Sequence, residues 1–230
     1  MVSWYKVFVA EFIGTFALVF IGAGSIIANS VTQGALGVTG IALAHGLTLA
    51  VMVSATASIS GGHINPAVTV GFLVTRRIAW DRALLYIVAQ LLGAAVAAVI
   101  LNGFLPARAV SDASLGATLL DPQISFTAGV VIELVLTFFL VFAVFGTAVD
   151  QRVPRGVAGF AIGLTLALSI LMGGPWTGAA LNPARAFGPA LAGSYWGDHL
   201  VYWVGPLLGG IAAALLYHHV LLKDDQAQGK

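Results

Sequence analysis

Six apolar runs dominate the sequence, and each comes close to or exceeds the length that crosses a lipid bilayer. They lie near Val7 to Ala28, Leu36 to Ala57, Ala83 to Gly103, Phe126 to Val149, Gly156 to Met172 and Leu200 to Leu222. About 20 helical residues are needed to cross about 30 Å of hydrocarbon. Only 8% of the 230 residues are charged, which is too few to build a water-soluble surface. We therefore expect an all-α membrane protein with six transmembrane helices.

The positively charged residues predict the orientation of these spans. An even number of spans returns both chain ends to one side, and that side carries most of the positive charge: Lys6, Arg76, Arg77, Arg82, Arg152, Arg155, Lys223 and Lys230. The other side has only Arg108 and Arg185. Cytoplasmic segments carry an excess of Lys and Arg, so both termini are expected in the cytoplasm. The pattern leaves open whether the membrane is a plasma or inner membrane or a vacuolar one.

Several classes of function are excluded or disfavoured by composition. The Lys and Arg residues are scattered between apolar runs, so they form no patch for nucleic acid. The sequence has no cysteine, which excludes disulfides, thiolate catalysis and cysteine-ligated metals. No set of nucleophile, base and orienting group stands out, so we predict no enzyme activity, and neither a cofactor nor a metal site.

The second half of the sequence repeats the first. The segment 46–50, Gly-Leu-Thr-Leu-Ala, recurs at 163–167, and the Asn-Pro-Ala triplet at 65–67 recurs at 182–184 with the same spacing. A further set corresponds in the same order, Glu11, Thr15 and Phe16 with Glu133, Thr137 and Phe138. Because each half holds three spans, the second half enters the membrane from the opposite side. The repeats are therefore predicted to be inverted, which places equivalent residues face to face near the bilayer midplane.

We expect one transmembrane channel domain over residues 1–230. Its parts are a first repeat at about 7–103, a loop at 104–125, a second repeat at about 126–222 and a cytoplasmic tail at 223–230.

Each Asn-Pro-Ala triplet predicts the start of a short helix. Asn is a good N-cap, and Pro suits the first helical position because its missing N–H would have no helical partner. The predicted helices run from Pro66 to Thr75 and from Pro183 to Ala192, after glycine-rich loops at 60–63 and 173–175. Ten residues cover about half of the hydrocarbon thickness. Two such re-entrant half-helices, entering from opposite faces, would together line a pore, since irregular backbone is tolerated where it borders a wet cavity.

The predicted meeting point of the two half-helices has a specific electrostatic character. Each helix N-terminus carries roughly half a positive charge and free N–H groups, so the two ends repel cations and protons. The side-chain oxygens of Asn65 and Asn182 can accept those N–H groups, which leaves amide donors for the lumen. A water molecule that offers its oxygen there points its hydrogens outward, which interrupts a chain of proton transfer. We therefore expect a midplane site formed by Asn65, Pro66, Ala67, Asn182, Pro183 and Ala184.

Segments 60–68, Ser-Gly-Gly-His-Ile-Asn-Pro-Ala-Val, and 181–185, Leu-Asn-Pro-Ala-Arg, resemble the aquaporin (major intrinsic protein) family. The resemblance extends over essentially the whole chain. It implies a passive water channel that excludes protons and ions and assembles in the lipid bilayer as a homotetramer with one pore per subunit. It also implies that the pore is lined by the backbone of two loops, at Gly61, Gly62, His63, Ile64, Gly178, Ala180 and Leu181.

The family further implies a selectivity filter made of His45, Ile170, Ala179 and Arg185. This set resembles the filter of plant vacuolar-membrane (tonoplast) aquaporins, and the small Ala179 with the apolar Ile170 implies a wide opening. Ammonia, hydrogen peroxide and urea are expected as further permeants. A glycerol facilitator is the alternative, although Ala186 and Ala190 stand where glycerol-specific members usually carry Asp and Arg.

Glu11 and Glu133 are intramembrane carboxylates at equivalent repeat positions. The family implies that they accept N–H groups from the re-entrant loops, whereas a proton-coupled transporter would use them to carry protons. His63 is expected to line the cytoplasmic vestibule, chiefly through its backbone carbonyl, with gating by pH as the alternative.

Overall fold

The computed structural model describes residues 3–222. Over that range the chain is helical, with six helices long and apolar enough to cross a membrane. The elements are α1 (Trp4–Val31), α2 (Gly37–Thr56), α3 (Pro66–Val74), α4 (Trp80–Phe104), α5 (Ala107–Asp112), α6 (Phe126–Val144), α7 (Ala158–Thr177), α8 (Pro183–Gly193) and α9 (Val201–Leu216). Short π-helical turns extend α6 over Phe145–Val149 and α9 over Tyr217–Leu221. The predicted six spans and two half-helices, α3 and α8, are confirmed.

The distribution of side chains is that of a protein dissolved in lipid. Large apolar residues face outward along the spans; Phe139 is 56% exposed and Leu168 is 59% exposed. Polar side chains such as Glu11, Gln90 and Glu133 are fully buried. Their charges and hydrogen-bonding groups can only be satisfied inside the protein, because hydrocarbon offers no partner.

Helix contacts follow an inverted two-fold pattern. α1 packs on α4 as α6 packs on α9, and each half-helix packs on the last span of the other repeat, α8 on α4 and α3 on α9. α2 packs on α7, its own counterpart, through Gly46 and Gly163. A Cβ at either glycine would collide with the carbonyl oxygen of the other, so the absence of side chains allows the two backbones to touch.

The fifth span differs from the sequence prediction at its end. We expected the glycine-rich segment 173–175 to be a loop, but α7 continues to Thr177 and ends at Gly178, which has φ +79°. Proline at position 175 removes one helical hydrogen bond, and tertiary contacts hold the last turn in place. Thr177 donates to Glu133 at 2.7 Å, and its carbonyl accepts from the Tyr202 hydroxyl at 2.9 Å. The predicted tail at 223–230, with Lys223 and Lys230, lies outside the described residues.

Candidate functional site: a pore between the half-helices

A narrow cavity passes beside the N-termini of α3 and α8. Its wall combines aliphatic side chains with a few polar groups that converge on the lumen. The lining residues are Leu18, His45, Leu49, Gly62, His63, Asn65, Val68, Leu140, Val144, Ile162, Leu166, Ala180, Asn182 and Arg185. Such a wall lets a small polar molecule pass while offering it only a few hydrogen-bonding partners.

The two Asn-Pro-Ala motifs meet in this cavity. The Asn65 side-chain oxygen accepts from Ala67 N at 2.8 Å, and the Asn182 oxygen accepts from Ala184 N at 3.0 Å, so each Asn caps its own half-helix. Each amide nitrogen donates one hydrogen to the opposite loop. Asn65 bonds the Leu181 carbonyl at 2.8 Å, and Asn182 bonds the Ile64 carbonyl at 2.9 Å. An amide has two donor hydrogens, so each asparagine retains one for the lumen.

The residue preceding each asparagine has an unusual backbone conformation. Ile64 has φ +56° and Leu181 has φ +52°, a left-handed region that a branched side chain such as Ile64 rarely adopts. Both residues are fully buried, and the N–H and the carbonyl of each are hydrogen-bonded. This conformation directs the carbonyl toward the opposite asparagine and the N–H toward a carboxylate. The hydrogen bonds formed there stabilise the strained backbone.

The two intramembrane carboxylates anchor these strained loops. Glu11 accepts from His63 N at 2.9 Å and from Ile64 N at 2.6 Å, and Glu133 accepts from Ala180 N at 3.0 Å and from Leu181 N at 2.8 Å. Side-chain hydroxyls add to each set, Ser60 on Glu11 and Thr177 on Glu133. The carboxylates thus replace water as partners of main-chain groups that the bilayer cannot satisfy.

The first repeat contains a polar network that the sequence analysis does not predict. The Gln90 amide donates to Glu11 at 2.7 Å and to Thr69 at 3.1 Å, and the Thr69 hydroxyl lies 3.1 Å from His63 Nδ1. The His63 ring packs against Phe72, and His63 is one of the residues of the cavity wall. Sequence reasoning missed Gln90 because a polar residue in a long apolar span gives no indication of its partner.

His45 and Arg185 come together on the cavity wall. His45 Nδ1 lies 2.9 Å from the Ile41 carbonyl, so Nδ1 carries the proton and Nε2 keeps its lone pair. Nε2 is 3.4 Å from an Nη of Arg185. Arg185 is buried, and its Nε and its other Nη have no hydrogen-bond partner among the described residues. The His45 lone pair thus faces Arg185, and the donors without a partner on this part of the cavity wall are those of Arg185.

The other two predicted filter residues, Ile170 and Ala179, are also buried. Ile170 and Ala179 belong to one apolar cluster, and Ala179 has φ +46° in the loop that follows α7. Within the described residues, neither of them is part of the wall of the cavity above. Of the predicted loop residues, Gly61, Gly62 and Gly178 have positive φ, which permits the sharp turns into the half-helices. No group of three or more potential metal-binding side chains occurs in the part of the chain described.

The fold and the site define a class of protein: a membrane channel of two inverted repeats whose half-helices meet at a narrow cavity. The family model for the major intrinsic proteins matches residues 1–217. The chain belongs to the major intrinsic protein family, whose members are channels and not enzymes.

The chain is similar to several plant aquaporins. Aquaporin TIP4-4 of Zea mays is 46% identical over 94% of this chain and 90% of its own length. A probable aquaporin TIP3-2 of Arabidopsis thaliana is 43% identical, over 93% of this chain and 82% of its own length. The X-ray structure of the aquaglyceroporin from Plasmodium falciparum superimposes with a TM-score of 0.83 at 28% identity, covering 96% of this chain and 98% of that one.

Proposed function

We propose that the protein is a passive water channel that also admits small neutral solutes and excludes protons and ions. The observation that carries this proposal is the crossed pair of asparagines: each caps one half-helix, bonds the opposite loop and keeps a donor for the lumen. The cross-links hold those donors in position even when no molecule is passing through the pore. Similarity to aquaporins over most of the chain supports the same function.

Water would pass the midplane with its oxygen toward Asn65 and Asn182. The two helix N-termini make that region positive, so hydronium and metal cations meet an electrostatic barrier. The hydrogens of the bound water point away from the asparagines toward neighbouring waters. Protons then cannot hop across this point, because the water there cannot act as acceptor and donor in the required order.

The range of solutes is assigned to the filter of His45, Ile170, Ala179 and Arg185. Arg185 supplies a permanent positive charge and free donors, and His45 Nε2 lies 3.4 Å from one of its Nη atoms and helps to hold the guanidinium in place. Ile170 and Ala179 lie in the apolar cluster and not in the cavity wall, and they add no polar group to the filter. We propose that ammonia, hydrogen peroxide and urea pass with water. Each of them is small and neutral, and each can form a single hydrogen bond at a time with the polar groups of the pore wall.

A glycerol facilitator is the second candidate. The similarity in fold to an aquaglyceroporin favours it, while Ala186 and Ala190 depart from the residues typical of glycerol-specific members. A proton-coupled transporter is less well supported. Each carboxylate oxygen of Glu11 already accepts two hydrogen bonds, so a proton added there would displace a structural partner.

We propose that residues 1–230 form one channel domain in the lipid bilayer, with both termini in the cytoplasm. The cluster of Arg76 and Arg77, in the loop between α3 and α4, and Arg82, in the first turn of α4, supports that orientation. A homotetramer with one pore per subunit, in a vacuolar or a plasma membrane, is the assembly that the family suggests.

Stopped-flow measurements on vesicles that contain the purified protein test this function. Water, ammonia, urea and glycerol are compared with the same vesicles without protein. We expect faster flux of water, ammonia and urea than in the protein-free vesicles, with glycerol close to the protein-free rate. Glycerol flux that exceeds urea flux would favour the second candidate.

A further inference from the structure

One glycine in the first span lies directly behind the filter histidine. An ideal Cβ built on Gly22 of α1 would lie 2.5 Å from His45 Cδ2 and 3.0 Å from His45 Cε1, and closer still to Nε2. Gly22 is buried. The imidazole therefore occupies the volume that any larger residue at position 22 would need.

The other contacts of His45 leave the ring little freedom. Nδ1 is held by the Ile41 carbonyl at 2.9 Å, one helical turn earlier in α2, and Nε2 is close to Arg185. One side of the ring contacts α1 at Gly22, and the ring borders the cavity. A methyl group added at position 22 would push the ring away from α1, and the open direction is the lumen.

We infer that Gly22 is a specificity-determining residue: by lacking a side chain, it lets the His45 ring retract toward α1 and sets the free width of the filter. This inference rests on the proposed channel function and deepens it. Gly22 does not touch the permeating molecule itself, so it acts as a positioning residue through His45. A filter narrowed in this way restricts urea more than water, because urea is the wider molecule.

The substitution Gly22→Ala tests the inference, and Gly24→Ala is its matched control. Gly24 lies in the same helix, and its built Cβ has only an ordinary contact, 3.7 Å from Leu101. We expect Gly22→Ala to lower the ratio of urea to water permeability about fivefold, which corresponds to about 1 kcal/mol of added barrier. Gly24→Ala should keep the wild-type ratio. Equal ratios in the two variants would overturn the inference.

A second comparison separates a filter effect from general damage to packing. In a His45→Ala background the obstacle is gone, so Gly22→Ala should no longer change the ratio, and a folding defect of the single variant should be relieved. If Gly22→Ala lowers the ratio of urea to water permeability as much in the His45→Ala background as in the wild type, the packing of α1 and not the histidine explains the effect. Wild-type vesicles without water flux above the protein-free rate would instead refute the proposed function, which keeps the two failures distinguishable.

Discussion

The side-chain amide of Asn65 donates a hydrogen bond to the main-chain carbonyl of Leu181, 2.8 Å away, and so ties the first re-entrant loop to the second. The reciprocal bond from Asn182 to the Ile64 carbonyl completes a pair of cross-links at the centre of the molecule. The amide groups that face the lumen are thus also the groups that join the repeats. Their orientation is fixed by the fold before a solute arrives, which is the condition for selecting one water orientation without slowing its passage.

The first prediction concerns this cross-link. Asn65→Asp replaces the amide donor with a carboxylate that faces the Leu181 carbonyl, so we expect the free energy of unfolding to fall by about 1–3 kcal/mol. The added negative charge should also raise proton or cation conductance. Thermal unfolding in detergent and conductance in sealed vesicles measure the two effects. Asn102→Asp is the control, because Asn102 makes a similar bond to the Ala192 carbonyl on the exposed surface. If Asn65→Asp and Asn102→Asp had equal free energies of unfolding, the stabilising role of the bond from Asn65 to Leu181 would be contradicted.

The second prediction concerns the intramembrane carboxylates. In Glu11→Gln and in Glu133→Gln, either orientation of the new amide places its NH2 group against a main-chain N–H, because the two loop N–H groups bond different oxygens. One unsatisfied buried donor costs about 1–3 kcal/mol, so each variant should unfold at a lower temperature. Water flux per folded channel should not depend on a proton gradient. An undiminished unfolding temperature, or flux coupled to the gradient, would contradict the structural role.

The third prediction concerns the filter charge. Arg185→Val removes a buried cation and its free donors, while the positive helix N-termini at the midplane remain. We expect a partial rise in proton or cation conductance in sealed vesicles. The control is Arg108→Val, since Arg108 is exposed and makes only a loose ion pair with Asp112 at 3.7 Å. An unchanged conductance in the Arg185 variant would assign all ion exclusion to the midplane.

The fourth prediction concerns a clamp between the ends of α6 and α9. Three hydrogen bonds from the Arg152 guanidinium hold Asp150, and the Tyr217 hydroxyl donates to it at 3.0 Å. The bonds from Arg152 keep the pKa of this carboxyl well below its ordinary value of 3.8. Asp150→Asn should therefore lower the unfolding temperature at neutral pH.

The sign of the pH dependence follows from the lowered pKa. The stabilisation by Asp150 is fully present above its ordinary pKa and is lost as the pH falls toward the pKa of the folded state. The difference in unfolding temperature between wild type and Asp150→Asn should be constant at neutral and mildly acidic pH and should narrow only below about pH 4. Asp112→Asn, at an exposed site, should behave like wild type throughout. A difference that already narrows near neutrality would contradict the clamp.

Much of the fold could be predicted because membrane spans are long and their apolar composition is nearly uninterrupted. The half-helices were equally predictable. Asn65-Pro66 and Asn182-Pro183 are local capping signals whose effect does not depend on distant residues. The end of α7 was predicted too early. Glycine and proline at 173–175 locally disfavour a helix, and the contacts from Glu133 and Tyr202 that hold its last turn come from distant parts of the chain.

The details of the site depend on tertiary geometry that no local pattern encodes. The positive φ of Ile64 and Leu181 contradicts the preference of these residue types, and only the carboxylates and asparagines around them make it tenable. Likewise, the glycine at position 22 resembles any other small residue in a packed span. Its importance emerges only when α2 brings His45 against it.

The most direct test of a water channel that excludes protons is to measure water flux and proton flux in the same sealed vesicles. Osmotic shrinkage reports water flux by stopped flow, and a trapped pH dye reports proton entry under an imposed gradient. We predict water permeability far above that of protein-free vesicles, with proton entry unchanged. Water permeability at the protein-free level, or proton entry that rises in parallel with water flux, would contradict it.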